Sequence, residues 1–316
     1  MRLCDSASLG HLTFVLALSN SAFLGFVAAQ QKCNGYAEYC DRIYSNVSFV
    51  GTHDSAFVGS IIDPAVNQEV SVTDQLDAGI RFLQAQTHKN LAGTALEMCH
   101  TSCLEEDAGS LVNYLNTVKS WLEADGNENE VLTMLLTNGD YVDVTWFEAA
   151  FNSSGSGIDQ YTFVPSTSPN TLSISAWPTY SELIAAGTRL IVFLDYDANE
   201  SVVPYIMDEF AYFFETPYDT TDPTFPECSL NRPPGASPDG RMYIVNHFLD
   251  LDILGIDIPD NAADMTTNAA TGSGSIGAQA DLCESIYGRW PNFVLVDMFN
   301  RGDVFAWQNA VNGISS

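Results

Sequence analysis

The sequence predicts a single-domain α/β fold, a (β/α)8 barrel of the TIM type with allowance for irregular members. Three observations lead there. Short β-rich apolar runs alternate with amphipathic stretches and turn residues, the pattern of repeated strand–helix units around a parallel sheet. The chain beyond a short apolar leader, residues 30–316, suits one barrel, which typically takes ~250 residues. No repeat, charge run or Pro-rich linker divides it.

The leader comes first in the chain. Arg2 precedes an apolar run over about residues 12–27, and Val27-Ala28-Ala29 stands before Gln30. That is the layout of a secretory signal with a small-residue exit. Asn20 and Ser21 interrupt the run, which is shorter than the ~20 residues a membrane span needs. The expectation is a cleaved signal over 1–29, a secreted, extracellular mature domain over 30–316, and no stable membrane span.

Strands are expected at 47–51, 80–86, 94–99, 131–137, 189–194, 242–247 and 293–296, with an eighth near 210–214. Helical spacing is clearest over 108–124, where Leu111, Leu115, Val118 and Leu122 share one face and Asp107 is the expected N-cap. Further helices are expected at 142–151, 180–186, 202–212 and 304–311. Segments 153–178 and 217–238 are rich in Ser, Thr, Gly and Pro and read as long loops; 260–277 reads as another. Trp121, Trp146, Trp177 and Trp290 read as core or loop anchors.

Cys4 falls in the leader, so six cysteines remain in the mature chain. An even number in an oxidising compartment implies three disulfides. Sequence alone does not fix the pairing, and proximity favours Cys33–Cys40, Cys99–Cys103 and Cys228–Cys283. Asn-x-Ser/Thr sequons at Asn46, Asn152 and Asn199 fit a glycoprotein of the same compartment. The formal charge is −29, from 40 acidic against 11 basic residues. Nucleic acid is excluded as a partner, because phosphate neutralisation needs Lys and Arg. An anionic membrane surface should repel the chain, and its charge suits a soluble monomer.

The chemistry centres on two histidines. Gly51-Thr52-His53-Asp54-Ser55 ends the first expected strand, and Cys99-His100-Thr101-Ser102-Cys103 ends the third. In a barrel, the C-terminal strand ends carry the active site, so both imidazoles can reach one substrate. One could take a proton from an attacking oxygen while the other protonates the leaving oxygen. Either could instead be a satisfied, partly buried residue.

The segment Thr52-His53-Asp54-Ser55 resembles the first catalytic motif of the phosphatidylinositol-specific phospholipases C, and Gly79-Ile80-Arg81-Phe82-Leu83 resembles the opening of their second barrel strand. His100 falls where that family keeps its second catalytic histidine. The strand over 293–297 and the following Gly302-Asp303 look like the closing strand, with Asp297 at the position of the carboxylate that orients the first histidine. The resemblance is good over 47–138 and tolerable at the C-terminal strand. It implies attack on a phosphodiester by a neighbouring hydroxyl, giving a cyclic phosphate. His53 would be the general base and His100 the general acid; Asp54 and Asp297 would fix the histidines or the phosphate.

The departures concern charge. Phosphoryl transfer needs positive charge on the non-bridging oxygens, and the family supplies it with an Arg or with Ca²⁺. Gln84 and Gln86 stand at the matching positions of the second strand, and Thr137 stands at another calcium-ligand position on the fourth. The expected metal complement is therefore none, and no other cofactor is implied. Period-two alternation puts Gln84, Gln86 and His88 on one face, so His88 could supply charge to the phosphate, although a surface histidine beside Lys89 is as good a reading. The family's basic inositol-recognising residue on the fifth strand also lacks a match, since Leu194 is followed by Asp195-Tyr196-Asp197. Asp195 and Asp197 could instead bind sugar hydroxyls, or could simply form a solvated strand end.

The substrate expected is a phospholipid or small phosphodiester. Two alternatives stand beside it: a catalytically weakened barrel that holds a phosphorylated ligand without turnover, and a glycoside hydrolase with paired carboxylates, which leaves both histidines idle.

Overall fold

A computed structural model describes residues 30–152, 155–255 and 257–315. The expected leader, 1–29, lies outside the described residues. Residues 31–316 form one compact unit.

In chain order the elements are β1 (Phe49–Thr52), α1 (Val72–Ala78), β2 (Phe82–Lys89), β3 (Leu96–His100), β4 (Glu106–Ser110), α2 (Leu111–Leu122), β5 (Leu132–Asn138) and α3 (Thr145–Phe151). There follow α4 (Tyr180–Ala186), β6 (Leu190–Leu194), β7 (Ile206–Asp208), α5 (Glu209–Tyr212), β8 (Phe213–Glu215) and β9 (Met242–Asn246). The chain closes with β10 (Asp250–Asp252), β11 (Asp257–Pro259), α6 (Asp264–Thr267), α7 (Ile276–Tyr287), β12 (Phe293–Val296) and α8 (Val304–Val311).

Eight strands run side by side in the order β7-β6-β5-β2-β1-β12-β9-β8, every pairing parallel. This is the sequential winding of a TIM-type barrel with an irregular seam. The outermost strands β7 and β8 are consecutive in sequence but do not pair with each other, and only the single turn of α5 joins them.

The side chains sort by strand alternation. Val50, Leu83, Met134, Val192, Val245 and Val294 turn outward into one core shared with the helices. Phe49, Phe82, Phe193, Phe213, Ile244 and Phe293 turn inward into a second core. Rings fill the inside at the N-terminal end, with Phe82 and Phe293 at 4.2 Å and Phe193 and Phe213 edge-on at 4.9 Å. Gly51 lets β1 and β2 approach, because any Cβ there would collide with the Phe82 ring. With the bottom plugged, the open end is the one at the strand C-termini.

Several expectations change. The run expected at 94–99 as a barrel strand is β3, which pairs antiparallel with the far end of β2, and β4 pairs antiparallel with β3. β2 outruns β1, which reaches only Phe82 and Leu83, so its projecting end needs another partner for its backbone groups. Because β4 takes 106–110, the helix expected from 108 begins at Leu111, and Ser110 rather than Asp107 caps it by accepting from the Asn113 amide. The helix expected at 202–212 is strand β7 followed by the one-turn α5, since Ile206 and Met207 bury into the sheet and override their helical spacing. The segment 260–277, expected as loop, holds α6 and the start of α7. The three disulfides pair as proximity suggested. Among the described residues no helix is long and apolar enough to cross a membrane.

Candidate active site

His53 and Asp297 each follow the last residue of a barrel strand. The pairing of Thr52 with Val296 sets those ends side by side, and His53 Nδ1 meets Asp297 Oδ1 at 2.9 Å. A carboxylate only accepts, so Nδ1 carries the proton and Nε2 is left to exchange one. Asn67 reinforces the pair, its Nδ2 donating to both Asp297 oxygens at 3.2 Å. Phe248, just beyond β9, stacks flat on the imidazole with ring centroids 3.7 Å apart.

Asp54 lies underneath, fully buried, with its backbone in the left-handed region at φ 45°. Its Oδ2 is 3.5 Å from His53 Nε2 and 3.4 Å from His100 Nε2. One carboxylate oxygen thus serves both imidazoles, which limits their separation to roughly two long hydrogen bonds. His100 arrives by a different route from the one the sequence suggested. It ends β3, which runs back down towards the mouth from the projecting tip of β2, and its ring meets Phe57 edge-on at 5.2 Å.

The two glutamines hold this arrangement in place. Gln84 Oε1 accepts from the Asp54 amide at 2.8 Å, and its Nε2 donates to Thr137 Oγ1 at 3.2 Å. Gln86 Nε2 donates to Asp54 Oδ2 at 2.8 Å while its Oε1 accepts from the Thr101 amide at 3.1 Å. Gln86 therefore ties the His100 loop to the shared carboxylate, and the Cys99–Cys103 disulfide closes that loop from the other side.

Burial alone would drive the proton off His53. The charges of Asp54 and Asp297 and the hydrogen bond His53 donates to Asp297 outweigh it, and the imidazole is raised to about 9. It is an imidazolium at neutral pH.

These groups open into a cavity of about 330 Å³ lined by His53, Gln84, Gln86, His100, Thr137 and Asp195, among others. His88 is not brought to it. Its Nδ1 lies 3.5 Å from Asp140, and its ring packs where any side chain at Gly139 would collide with it. The Lys89 amide donates to the same carboxylate at 2.6 Å, so the projecting end of β2 carries His88 onto the Gly139-Asp140 turn and away from the mouth.

The sequence reading missed several lining residues: Asn67, Glu209, Glu215, Asp219, Arg232, Phe248 and Asp250. No short motif marks them: Asn67 comes from the loop after β1, Glu209 opens the one-turn α5, and the rest come from β8, β10 and the loops around β9. Among the described residues that line the cavity, Arg232 is the one Lys or Arg. Its guanidinium is held by the buried Glu215 carboxylate, with Nε–Oε2 at 2.8 Å, and lies over the Tyr218 ring at 4.5 Å.

The parallel barrel has the fold of a bacterial phosphatidylinositol-specific phospholipase C. The enzyme of that name from Listeria monocytogenes superposes with a TM-score of 0.55 over 88% of this chain and 96% of its own, at 15% identity. The family model described as PI-PLC X 1 matches residues 39–312. PI-PLC X domain-containing protein 1 of Arthroderma benhamiae is 55% identical over 89% of this chain and 90% of its own length. An "Uncharacterized secreted protein" of the same fungus is 44% identical over 86% of this chain and 61% of its own. This chain belongs to the PI-PLC X family.

Proposed function

We propose that the chain is a secreted phosphodiesterase that cleaves a phospholipid or related phosphodiester by paired-histidine acid/base catalysis. The observation that carries this reading is the Asp54 carboxylate within 3.5 Å of both imidazoles in one cavity. A hydroxyl next to the phosphate loses its proton to His53 Nε2 and its oxygen attacks phosphorus. The bond to the leaving alcohol breaks as His100 delivers a proton to that oxygen. The product is a cyclic phosphate, which water opens by the reverse traffic of protons. Asp297 keeps His53 in the tautomer that presents Nε2, and Asp54, steered by Gln84 and Gln86, holds His100.

Secretion is supported by the name of the 44% identical relative, by three disulfides and by exposed sequons at Asn46 and Asn199. The phospholipid class is supported by the names of the family and of the structural neighbour.

The engagement of Arg232 with Glu215, and of both glutamines with Asp54, favours one second reading. It leaves no uncommitted cation for the non-bridging oxygens, as a barrel that binds a phosphorylated ligand without turnover would have. Purified protein assayed on phosphatidylinositol, glycerophosphodiesters and a chromogenic diester, with and without chelator, separates the two. Turnover insensitive to chelator and abolished by His53→Ala and by His100→Ala supports the enzyme. Binding without turnover of any diester supports the second reading.

A further inference from the structure

The half of the cavity away from the histidines is built of acids. Asp195, Glu209 and Glu215 form its floor, and Asp219, Asp250 and Asp257 line it from the loop after β8 and from the β10–β11 hairpin. A loop hydrogen bond, from the Asp250 amide to the Thr220 carbonyl at 2.8 Å, holds those two segments together.

Two of the floor residues carry buried oxygens that no donor reaches. Asp195 divides its carboxylate: Oδ1 accepts from the Asn138 and Tyr196 amides at 2.8 and 2.7 Å, while Oδ2 is buried and has no partner. Glu209 is 1% exposed, and no N–H or hydroxyl donor reaches its oxygens; its one close polar neighbour is the Glu215 carboxyl, itself held by Arg232. Leaving such groups unmet is costly, more so for charges, so their place in a cavity wall points to a ligand that meets them.

We propose that this acidic end of the cavity receives a primary ammonium group carried by the head group of the phosphodiester, with Asp195 Oδ2 and Glu209 as its principal acceptors. The inference rests on the reading of the histidine end as the phosphate site. Charge decides for a cation: five acids besides Glu215 line this side, Asp195, Glu209, Asp219, Asp250 and Asp257, and the cations that face them are only Arg232, already paired with Glu215, and His53, which acts on Asp250. Burial pushes Asp195 up to about 6 and, with Glu215 beside it, holds Glu209 well above the usual carboxylate range. Both are effects that a bound cation relieves.

Geometry decides for an ammonium over a metal ion. Among the described residues no three of these carboxylates bring an oxygen each within 4.8 Å of one another, so the multi-carboxylate cradle a hard metal ion needs is lacking, whereas an ammonium can be held by two acceptors and leave its third N–H to solvent or substrate. Tyr218 completes the lining on that side.

The test is calorimetric titration of the intact protein with 2-aminoethyl phosphate and 2-hydroxyethyl phosphate, which match in length and differ in the terminal group. The expected result is at least tenfold tighter binding of the amine. Asp195→Asn keeps an oxygen acceptor for the two amides and replaces only the free oxygen, and Glu209→Gln is isosteric; each should cut the preference to under threefold with the melting temperature little changed. Equal or tighter binding of the hydroxyl compound, or a preference that survives both substitutions, overturns the proposal. Binding of both phosphates without preference leaves the phosphate site intact and sinks this inference alone. Failure of both to bind sinks the phosphate site and the inference with it.

Discussion

His53 sits between two carboxylates, and its raised proton affinity governs how the site responds to pH. A general base works only when neutral, and with a value of about 9 roughly one molecule in a hundred is in that form at pH 7. Because His53 must lose its proton to act while His100 must keep one, the pH profile of kcat/KM on a phosphodiester should be bell-shaped, with a limb for each histidine around a plateau. Asp297→Asn removes one of the three attracting charges, those of Asp54, Asp297 and Asp250, and the hydrogen bond that fixes Nδ1–H. It should move the rising limb to lower pH and lower the plateau by about 10²- to 10⁴-fold. A variant that loses rate with its pH profile unmoved would show that Asp297 does not act through His53.

At the scale of elements, β2 and its antiparallel companion decide where His100 stands. The β2 residues Gln84 and Gln86 hold Asp54, and Gln86 also holds the Thr101 amide, so the second imidazole depends on one strand's projecting end and one disulfide loop. The Cys99–Cys103 ring is small, with a sequence separation of 4, against 55 for Cys228–Cys283. By chain entropy the former contributes about 2 kcal/mol and the latter about 4 kcal/mol. Replacing Cys99 and Cys103 together by Ser should lower kcat more than tenfold while costing less melting temperature than the same change at Cys228 and Cys283. The opposite ranking in activity and thermal scans would remove the loop from the account.

These elements also show what the sequence could and could not reveal. His53, Asp54, His100 and Asp297 were legible because motif residues at strand ends carry local signals, and the structure brings the four together. The route of His100 was not legible, because an apolar run reads alike whether it pairs parallel or antiparallel. Gln84 and Gln86 read as missing charges since the alternation of β2 gives their face but not their partners. The strands β7 and β8, three residues each, are too short for any periodicity to separate from a helix. The acidic wall was invisible because its members converge only through the tertiary fold.

For the whole molecule the same burial that shapes the site sets a pH preference in stability. Desolvation raises Asp195 to about 6 and Glu200, Asp250 and Asp264 to about 7, and His53 lies near 9. A group raised on folding contributes fully below its unfolded value and loses that contribution as pH climbs through its folded value. For the four carboxyls that window runs from about 4 to 7, and for His53 from about 6.5 to 9. Every one of these shifts has the same sign, and the formal charge of −29 adds self-repulsion as pH rises. Buried His247, whose proton affinity burial lowers, opposes this trend on the acid side, so the melting temperature should be highest in mildly acid buffer and fall steadily to pH 8. Greatest stability at pH 8 in a buffer series would contradict the burial of these acids as charged-form penalties.

The central claim, that His53 and His100 divide the roles of base and acid, is tested by changing the leaving group. A 4-nitrophenolate departs without a proton, whereas an alkyl alcohol needs one. Rates should be measured for wild type, His53→Ala and His100→Ala on two diesters of one head group that carries the attacking hydroxyl, differing only in that leaving group. His100→Ala should lose about 10²- to 10⁴-fold on the alkyl ester and far less on the 4-nitrophenyl ester, while His53→Ala loses heavily on both. Equal losses for His100→Ala on the two esters would contradict the assignment.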